Sequence, residues 1–127
     1  MRRLLDTNHA IAFLNDDPRL DSHLEDEAVA TDRFALSTTS LGELYYGAYA
    51  SKRIAENLAK LEAFVRHLVV YDYDAAAAQE FGKVRAALKE KGRPIPVADA
   101  QIAAIARCRH LALLTNDAHF ADVTGLS

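Results

Sequence analysis

The sequence lacks the residues that cross-link small proteins or anchor them in membranes. Its 127 residues include one cysteine, Cys108, and no tryptophan. A single cysteine excludes an intramolecular disulfide and any zinc site built from several thiolates. No apolar run approaches the roughly 20 residues of a membrane span. The chain begins directly with a strand-like segment and has no hydrophobic signal-peptide core. We therefore expect a cytoplasmic protein with no membrane partner.

An excess of basic charge is missing as well. The 15 Lys and Arg residues face 18 Asp and Glu residues, so the formal net charge is -3. Proteins that hold nucleic acid by bulk positive charge have the opposite balance. A polyanionic substrate would need a local basic strip or a metal ion here. Half of the residues are hydrophobic and 26% are charged, which is typical of a globular protein. We expect one domain spanning residues 1–127.

Short apolar segments alternate with helical patterns along the chain. We predict strands at Arg2–Leu5, Phe34–Ser37, Leu68–Tyr71 and Leu111–Leu114. The predicted helices are Ala10–Leu14, Arg19–Ala30 after Pro18, a helix capped at Ser40 that ends at Tyr49, Arg53–His67, Ala75–Lys91 before Gly92, and Val97–Arg109. Arg93–Pro96 is predicted as a loop because it contains two prolines. This alternation predicts an α/β fold, a three-layer α/β/α sandwich with a central, mostly parallel sheet.

Four acidic residues occupy corresponding places in this predicted fold. Asp6 follows the first strand, and Asp117 comes after the last strand. Glu43 and Asp99 each fall in the first turn of a predicted helix. Parallel strands finish at one edge of the sheet, the helices that follow begin there, and ligands of open α/β sheets bind at that edge. We therefore expect the four carboxylates to converge.

Each acid taken alone also has a purely structural explanation. Asp6 is suited to capping the helix after it, and Glu43 completes a capping box with Ser40. Asp99 is favoured by the dipole at a helix start, and Asp117 belongs to an ordinary turn or cap pair. The functional interpretation depends on the coincidence of their placement. Converging carboxylates repel each other unless a cation binds, and all-oxygen ligation suits a hard ion such as Mg²⁺ or Mn²⁺.

At these residues the sequence resembles the PIN-domain ribonucleases of the VapC toxin type. The matching motifs are Leu4-Leu5-Asp6-Thr7-Asn8, Leu41-Gly42-Glu43-Leu44-Tyr45-Tyr46-Gly47, Pro96-Val97-Ala98-Asp99-Ala100-Gln101-Ile102-Ala103-Ala104 and Leu114-Thr115-Asn116-Asp117-Ala118-His119-Phe120. The resemblance implies a Mg²⁺- or Mn²⁺-dependent endoribonuclease that is the toxin of a type II toxin–antitoxin pair. Its catalytic, metal-binding quartet would be Asp6, Glu43, Asp99 and Asp117. It further implies an RNA substrate, an antitoxin that covers the active site, and commonly a homodimer.

Polar residues beside the acids are candidates for orienting the ligands or bound water. They are Thr7, Asn8, Thr115 and Asn116, which are equally suited to turns and caps. A basic run ends at Arg93, which we single out as a possible contact to the RNA backbone, although a solvated helix face explains the run as well. His9 and His119 have no zinc-type spacing to another ligand, so we do not expect either to bind metal.

Three tyrosines fall on the helix that carries Glu43. Tyr45 and Tyr49 share a face, and Tyr46 points about 100° away from them. Part of this set belongs in the core, and an exposed member would suit a contact with an antitoxin, because aromatic anchors dominate many protein interfaces.

Other functions remain as alternatives to hydrolysis of RNA. A phospho-acceptor receiver domain also has about this size and an acidic pocket at its strand ends, but it needs an acidic pair after the first strand and a lysine after the last. Here Asp6 is followed by Thr7-Asn8, and no lysine lies beyond Lys91. A haloacid-dehalogenase-type phosphatase would want an acid where Asn8 stands. The remaining alternative is a catalytically inactive PIN-like module for protein interaction. For the enzyme, either Glu43 or Asp117 is a candidate to accept the proton of the attacking water.

Overall fold

Four short strands form one parallel sheet in the described part of the chain, which comprises residues 2–15, 34–123 and 125–126 of the computed structural model. The strands are β1 (Arg3–Leu5), β2 (Phe34–Ser37), β3 (Val69–Tyr71) and β4 (Ala112–Leu114). Their order in the sheet is β3-β2-β1-β4, and all three neighbouring pairs are parallel. The two central strands, β1 and β2, are more buried than the edge strands β3 and β4, as expected for strands that have a neighbour on each side.

Five α-helices and a 3₁₀ helix connect and cover these strands within the same described residues. They are α1 (Thr7–Leu14), α2 (Thr38–Tyr49), α3 (Ile54–Val65), α4 (Ala75–Glu90), α5 (Val97–Cys108) and the 3₁₀ helix Ala118–Asp122. The helix predicted at Arg19–Ala30 lies outside the described residues. None of the described helices is both long and apolar enough to cross a membrane.

The sheet separates two hydrophobic cores. Successive side chains of a strand point to opposite faces, so Leu4 and Leu5 enter different cores although both are fully buried. Leu4 lies beside Ala35 in the sheet and packs under α4 and α5. Leu5 packs with Leu36 under α1, α2 and α3. Helices on both faces of a parallel sheet make three layers, which confirms the predicted fold class.

Helix α5 is buried along most of its length because it is built from small residues. Ala100, Ala103, Ala104 and Ala106 are at most 1% exposed, and so are the two isoleucines between them. Small side chains let the backbone of this helix lie close to the sheet and to α4 at once. This packing fixes the N-terminal turn of α5, which carries Asp99, at the carboxyl edge of the sheet.

The start of α2 differs from the prediction. Its N-cap is Ser37, whose extended backbone (φ −83°, ψ 153°) ends β2 and whose hydroxyl accepts the Ser40 N–H at 3.0 Å. The capping box predicted at Ser40 and Glu43 is therefore wrong, because the strand passes directly into the helix and Ser37 is the first hydroxyl able to cap it. Glu43 consequently lies in the second turn of α2 and not in the first.

Candidate active site

The carboxyl ends of β1 and β4 bring Asp6 next to Thr115. Leu5 and Leu114 are register partners in the sheet, so the residues that follow them leave the same edge side by side. The Thr115 hydroxyl donates a hydrogen bond to Asp6 Oδ2, although 109 positions separate the two residues in the sequence. The parallel pairing of two strands thus converts a distant sequence pair into a direct contact.

Asp6 is a buried carboxylate held by several donors. It is 4% exposed and is the N-cap of α1, where Oδ1 accepts the His9 backbone N–H at 2.7 Å. The imidazole of His9 also contacts this oxygen, with Nδ1 at 3.0 Å. Together with the Thr115 hydroxyl, these contacts fix the orientation of a carboxylate that water barely reaches.

Glu43 reaches the same region from α2. Its Oε1 accepts a hydrogen bond from the Thr7 hydroxyl at 2.6 Å. The Thr7 oxygen lies 2.9 Å from the hydroxyl oxygen of Ser40, which is fully buried one turn earlier on α2. Thr7 therefore links the first turn of α1 to α2 and holds the exposed Glu43 side chain beside the segment that carries Asp6.

Asp99 and Asp117 meet through a histidine. Asp117 is the N-cap of the 3₁₀ helix and accepts the His119 backbone N–H at 2.9 Å. The Nδ1 atom of His119 lies 2.9 Å from Asp99 Oδ2 and 3.2 Å from Asp117 Oδ1. The backbone N–H of Asp117 also donates to the Thr115 hydroxyl at 2.9 Å. One hydrogen-bonded network thus runs from Asp99 to Asp6.

All four acids line one open cleft of about 560 Å³. Its other lining residues are Thr7, Asn8, Ile11, Gly42, Tyr46 and Gly47. The described residues that line it include four carboxylates and neither Lys nor Arg. Such an arrangement is costly unless a cation neutralises it, so the cleft has the electrostatics of a cation site.

The donor set fits a hard divalent cation. Carboxylate oxygens are the ligands that Mg²⁺ and Mn²⁺ prefer, and four of them face one cleft. Ligand atoms of Asp99, Asp117 and His119 all lie within 4.8 Å of one another. Atoms this close can share one coordination sphere, since the ligands of a metal lie about 2.0–2.5 Å from it.

The polar residues predicted to support the acids take different positions. Thr7 and Thr115 contact carboxylates directly, and Asn8 lines the cleft. Asn116 is exposed. The guanidinium of Arg93, the proposed RNA contact, lies 3.9 Å from Asp122 Oδ2 at the end of the 3₁₀ helix.

Sequence reasoning missed the part that two histidines play in the site. The imidazoles of His9 and His119 contact Asp6 and the Asp99–Asp117 pair respectively. The absence of zinc-type spacing, on which the sequence analysis relied, says nothing about whether these two histidines contact the carboxylates of the site. The sequence pattern that predicts such a contact is a histidine two or three residues after an aspartate that caps a helix. The first turn of the helix then places the imidazole next to the carboxylate.

The family model that matches this chain describes the PIN domain and covers residues 3–126. A tRNA(fMet)-specific endonuclease VapC from Shigella flexneri is 39% identical over 127 residues, which are 99% of this chain and 95% of that protein. The chain therefore belongs to the PIN domain family.

Two solved structures are similar over almost the whole chain. The first is VapBC2 from Rickettsia felis bound to a DNA fragment from its promoter, with a TM-score of 0.90, 31% identity and coverage of 99% of this chain and 96% of that one. The second is DNA-bound VapBC from Salmonella typhimurium, with a TM-score of 0.90, 34% identity and coverage of 99% and 95%. The similarity to a named VapC endonuclease and to two VapBC structures confirms the resemblance to VapC-type nucleases that the sequence motifs indicated.

Proposed function

We propose that this chain is a metal-dependent endoribonuclease of a type II toxin–antitoxin pair. The observation that carries the proposal is the cleft in which Asp6, Glu43, Asp99 and Asp117 meet without a Lys or Arg among the described lining residues. The similarity to a named VapC endonuclease supports the nuclease activity. We assign the ion as Mg²⁺ or Mn²⁺ on the chemistry of the oxygen ligands.

We assign each of the four acids a role in catalysis from the contacts that its carboxylate makes. Asp6, Asp99 and Asp117 would hold the ion, and when bound it would supply positive charge at a phosphoryl oxygen and an activated water. The His9 and Thr115 contacts keep Asp6 in one orientation, so its carboxylate needs little reorganisation when substrate arrives. Glu43 is exposed, and the one contact described above for its carboxylate is the hydrogen bond from the Thr7 hydroxyl. Its carboxylate is therefore our choice to accept the proton of the attacking water.

The partners follow from the same comparisons. We propose a cognate antitoxin, because the similar structures are VapBC complexes. Initiator tRNA is the first RNA to test, because a relative is named for it. We further propose that the chain acts as a single domain, forms a homodimer and works in the cytoplasm, where its RNA substrate is found. Arg93 remains our candidate for a contact to the RNA backbone.

Incubation of the purified chain with end-labelled initiator tRNA and unrelated RNAs tests this function. We expect cleavage with Mg²⁺, none with EDTA, and none by the Asp6→Asn variant. The matched control is Asp72→Asn, which changes an exposed aspartate outside the cleft and should cut at the wild-type rate. Wild-type cleavage by Asp6→Asn would refute the assignment, and absence of cleavage by the wild type would favour a non-enzymatic interaction module.

A further inference from the structure

Tyr46 is an aromatic side chain that the fold leaves in solvent beside the acidic cleft. It lies one turn after Glu43 on α2 and lines the same cleft as the four carboxylates. Tyr46 is 75% exposed, the largest fraction among the exposed large hydrophobic residues of the described chain. Tyrosine is enriched at binding interfaces because its ring is apolar and its hydroxyl is polar, so the place of Tyr46 at the cleft makes it a candidate to contact a ligand there.

The packing of α2 does not use the Tyr46 ring. Leu44 and Ala48 are the buried apolar residues of this helix, at 4% and 7% exposure. Tyr45 stacks instead with Tyr49, with their ring centroids 6.3 Å apart. The ring of Tyr46 is therefore free to serve a ligand without a cost to the core.

The surface around Tyr46 is open enough for a flat ligand. Gly42 and Gly47 line the cleft on either side of it in sequence. A Cβ atom placed on either glycine would meet no atom within 4 Å in the described structure, apart from their own helix backbone and chain neighbours. Small residues next to an exposed ring leave room for a planar group to approach its face.

The position of the ring suits a nucleotide base better than a protein side chain. Residues three apart on a helix have Cβ atoms about 5–6 Å apart, so a base can reach Tyr46 while its phosphate lies near Glu43. An adjoining groove of about 250 Å³ shares Ile11, Glu43 and Gly47 with the cleft and is also lined by Leu14, Leu44 and Leu61, so it offers the aliphatic surface that a protein partner's apolar side chains need. Tyr46 is not one of the described residues lining that groove.

We propose that Tyr46 is the platform on which an unpaired base next to the scissile phosphate of the RNA stacks. The proposal rests on the function proposed above and adds a residue that selects how the substrate is placed. Carboxylates and a metal ion act on the phosphate, which every nucleotide carries, so they cannot position a particular base. Single-stranded RNA is recognised largely by stacking of its bases on aromatic side chains.

The test compares Tyr46→Leu, which removes the planar ring, with Tyr46→Phe, which keeps it. Stacking is worth about 1–3 kcal/mol per base, so Tyr46→Leu should weaken RNA binding roughly 5- to 150-fold. Tyr46→Phe should stay within about threefold of the wild type. Tyr49→Leu is the matched control, because Tyr49 is also exposed, at 60%, and is not among the described residues that line the acidic cleft. It should bind RNA like the wild type.

Two measurements separate stacking from a structural effect. The first is the KM and kcat of RNA cleavage, where loss of the platform should raise KM more than it lowers kcat. The second is quenching of 2-aminopurine placed next to the cleavage site when RNA binds to the Asp6→Asn protein, and quenching should vanish in the Tyr46→Leu, Asp6→Asn double variant. Unchanged melting temperatures show that the variants fold.

Each of the other outcomes has a distinct meaning. Equal RNA affinity and equal quenching for Tyr46→Leu and the wild type would overturn the platform. Wild-type cleavage by Tyr46→Leu that a co-purified antitoxin no longer inhibits would also overturn it and would make Tyr46 a protein anchor. If the wild-type chain cut no RNA in Mg²⁺, the proposed function itself would fail.

Discussion

Replacing Thr115 by valine removes the hydroxyl that joins the two ends of the acidic cleft. This hydroxyl donates to the buried carboxylate of Asp6 and accepts the backbone N–H of Asp117. Valine has nearly the same shape, so the change isolates the hydrogen bonds from the packing. A hydrogen bond to a charged group contributes about 1.5–3 kcal/mol, and water cannot replace the one to Asp6, which is 4% exposed. Water can reach the partly exposed Asp117 more easily.

We therefore expect Thr115→Val to lower the free energy of unfolding by about 2 kcal/mol. For a chain of this size that corresponds to a fall of roughly 6–10 °C in Tm. Thermal and urea unfolding followed by circular dichroism in EDTA measure this loss. RNA cleavage should also fall by roughly 10- to 100-fold, because Asp6 loses a contact that orients it.

Thr115→Ser is the control, since it keeps the hydroxyl and removes only a methyl group. It should lose less stability than Thr115→Val and keep most of the cleavage activity. If the valine variant were as stable and as active as the serine variant, the hydroxyl would not support the cleft, and the reasoning from the hydrogen bonds would be refuted.

Three further predictions concern other contacts of the fold and the site. Thr7→Val should slow single-turnover cleavage about tenfold while Thr7→Ser does not, because only a hydroxyl can hold Glu43. Leu61→Ala should cost about 2–5 kcal/mol in urea unfolding, because Leu61 is fully buried under the sheet, and Lys60→Ala on the exposed side should cost little. Asp74→Asn should lower stability at pH 7, and this deficit should disappear in acid unfolding experiments.

The sign of the Asp74 effect follows from its contacts. The Ala77 N–H, and after it the Arg109 guanidinium, hold the pKa of Asp74 below its ordinary value of 3.8. A lowered pKa means that the folded protein favours the charged form. The stabilisation is therefore complete above pH 3.8 and is lost as the pH falls through the folded-state pKa. Asparagine still caps α4 but carries no charge, so a deficit that persisted at low pH would contradict this explanation.

The fold was predictable because its signals are local and repeated. Adjacent apolar residues such as Leu4 and Leu5 indicate a strand buried on both faces, and Gly92, with a positive φ of 68°, ends one helix before the next begins. Strands interleaved with helices then imply a parallel sheet, whose carboxyl edge brings Asp6 towards Thr115. The prediction that the acids converge on one cleft followed from the parallel topology of the sheet, which places the ends of all strands at one edge.

Details of the site depended on choices that local sequence does not determine. Ser37 and Ser40 are both acceptable N-caps, and only the end of β2 decides for Ser37. The contact of His119 with Asp99 spans 20 positions and depends on how α5 and the 3₁₀ helix pack. The exposure of Tyr46 likewise follows from the way α2 turns its other face to the sheet.

Calorimetric titration of the purified chain with Mn²⁺, in the absence of RNA, measures most directly whether the acidic cleft binds a divalent cation. We predict saturable binding that Asp99→Asn weakens at least tenfold and that Asp72→Asn leaves unchanged. No saturable binding, or the same affinity in the wild type and Asp99→Asn, would contradict a cation site formed by these carboxylates.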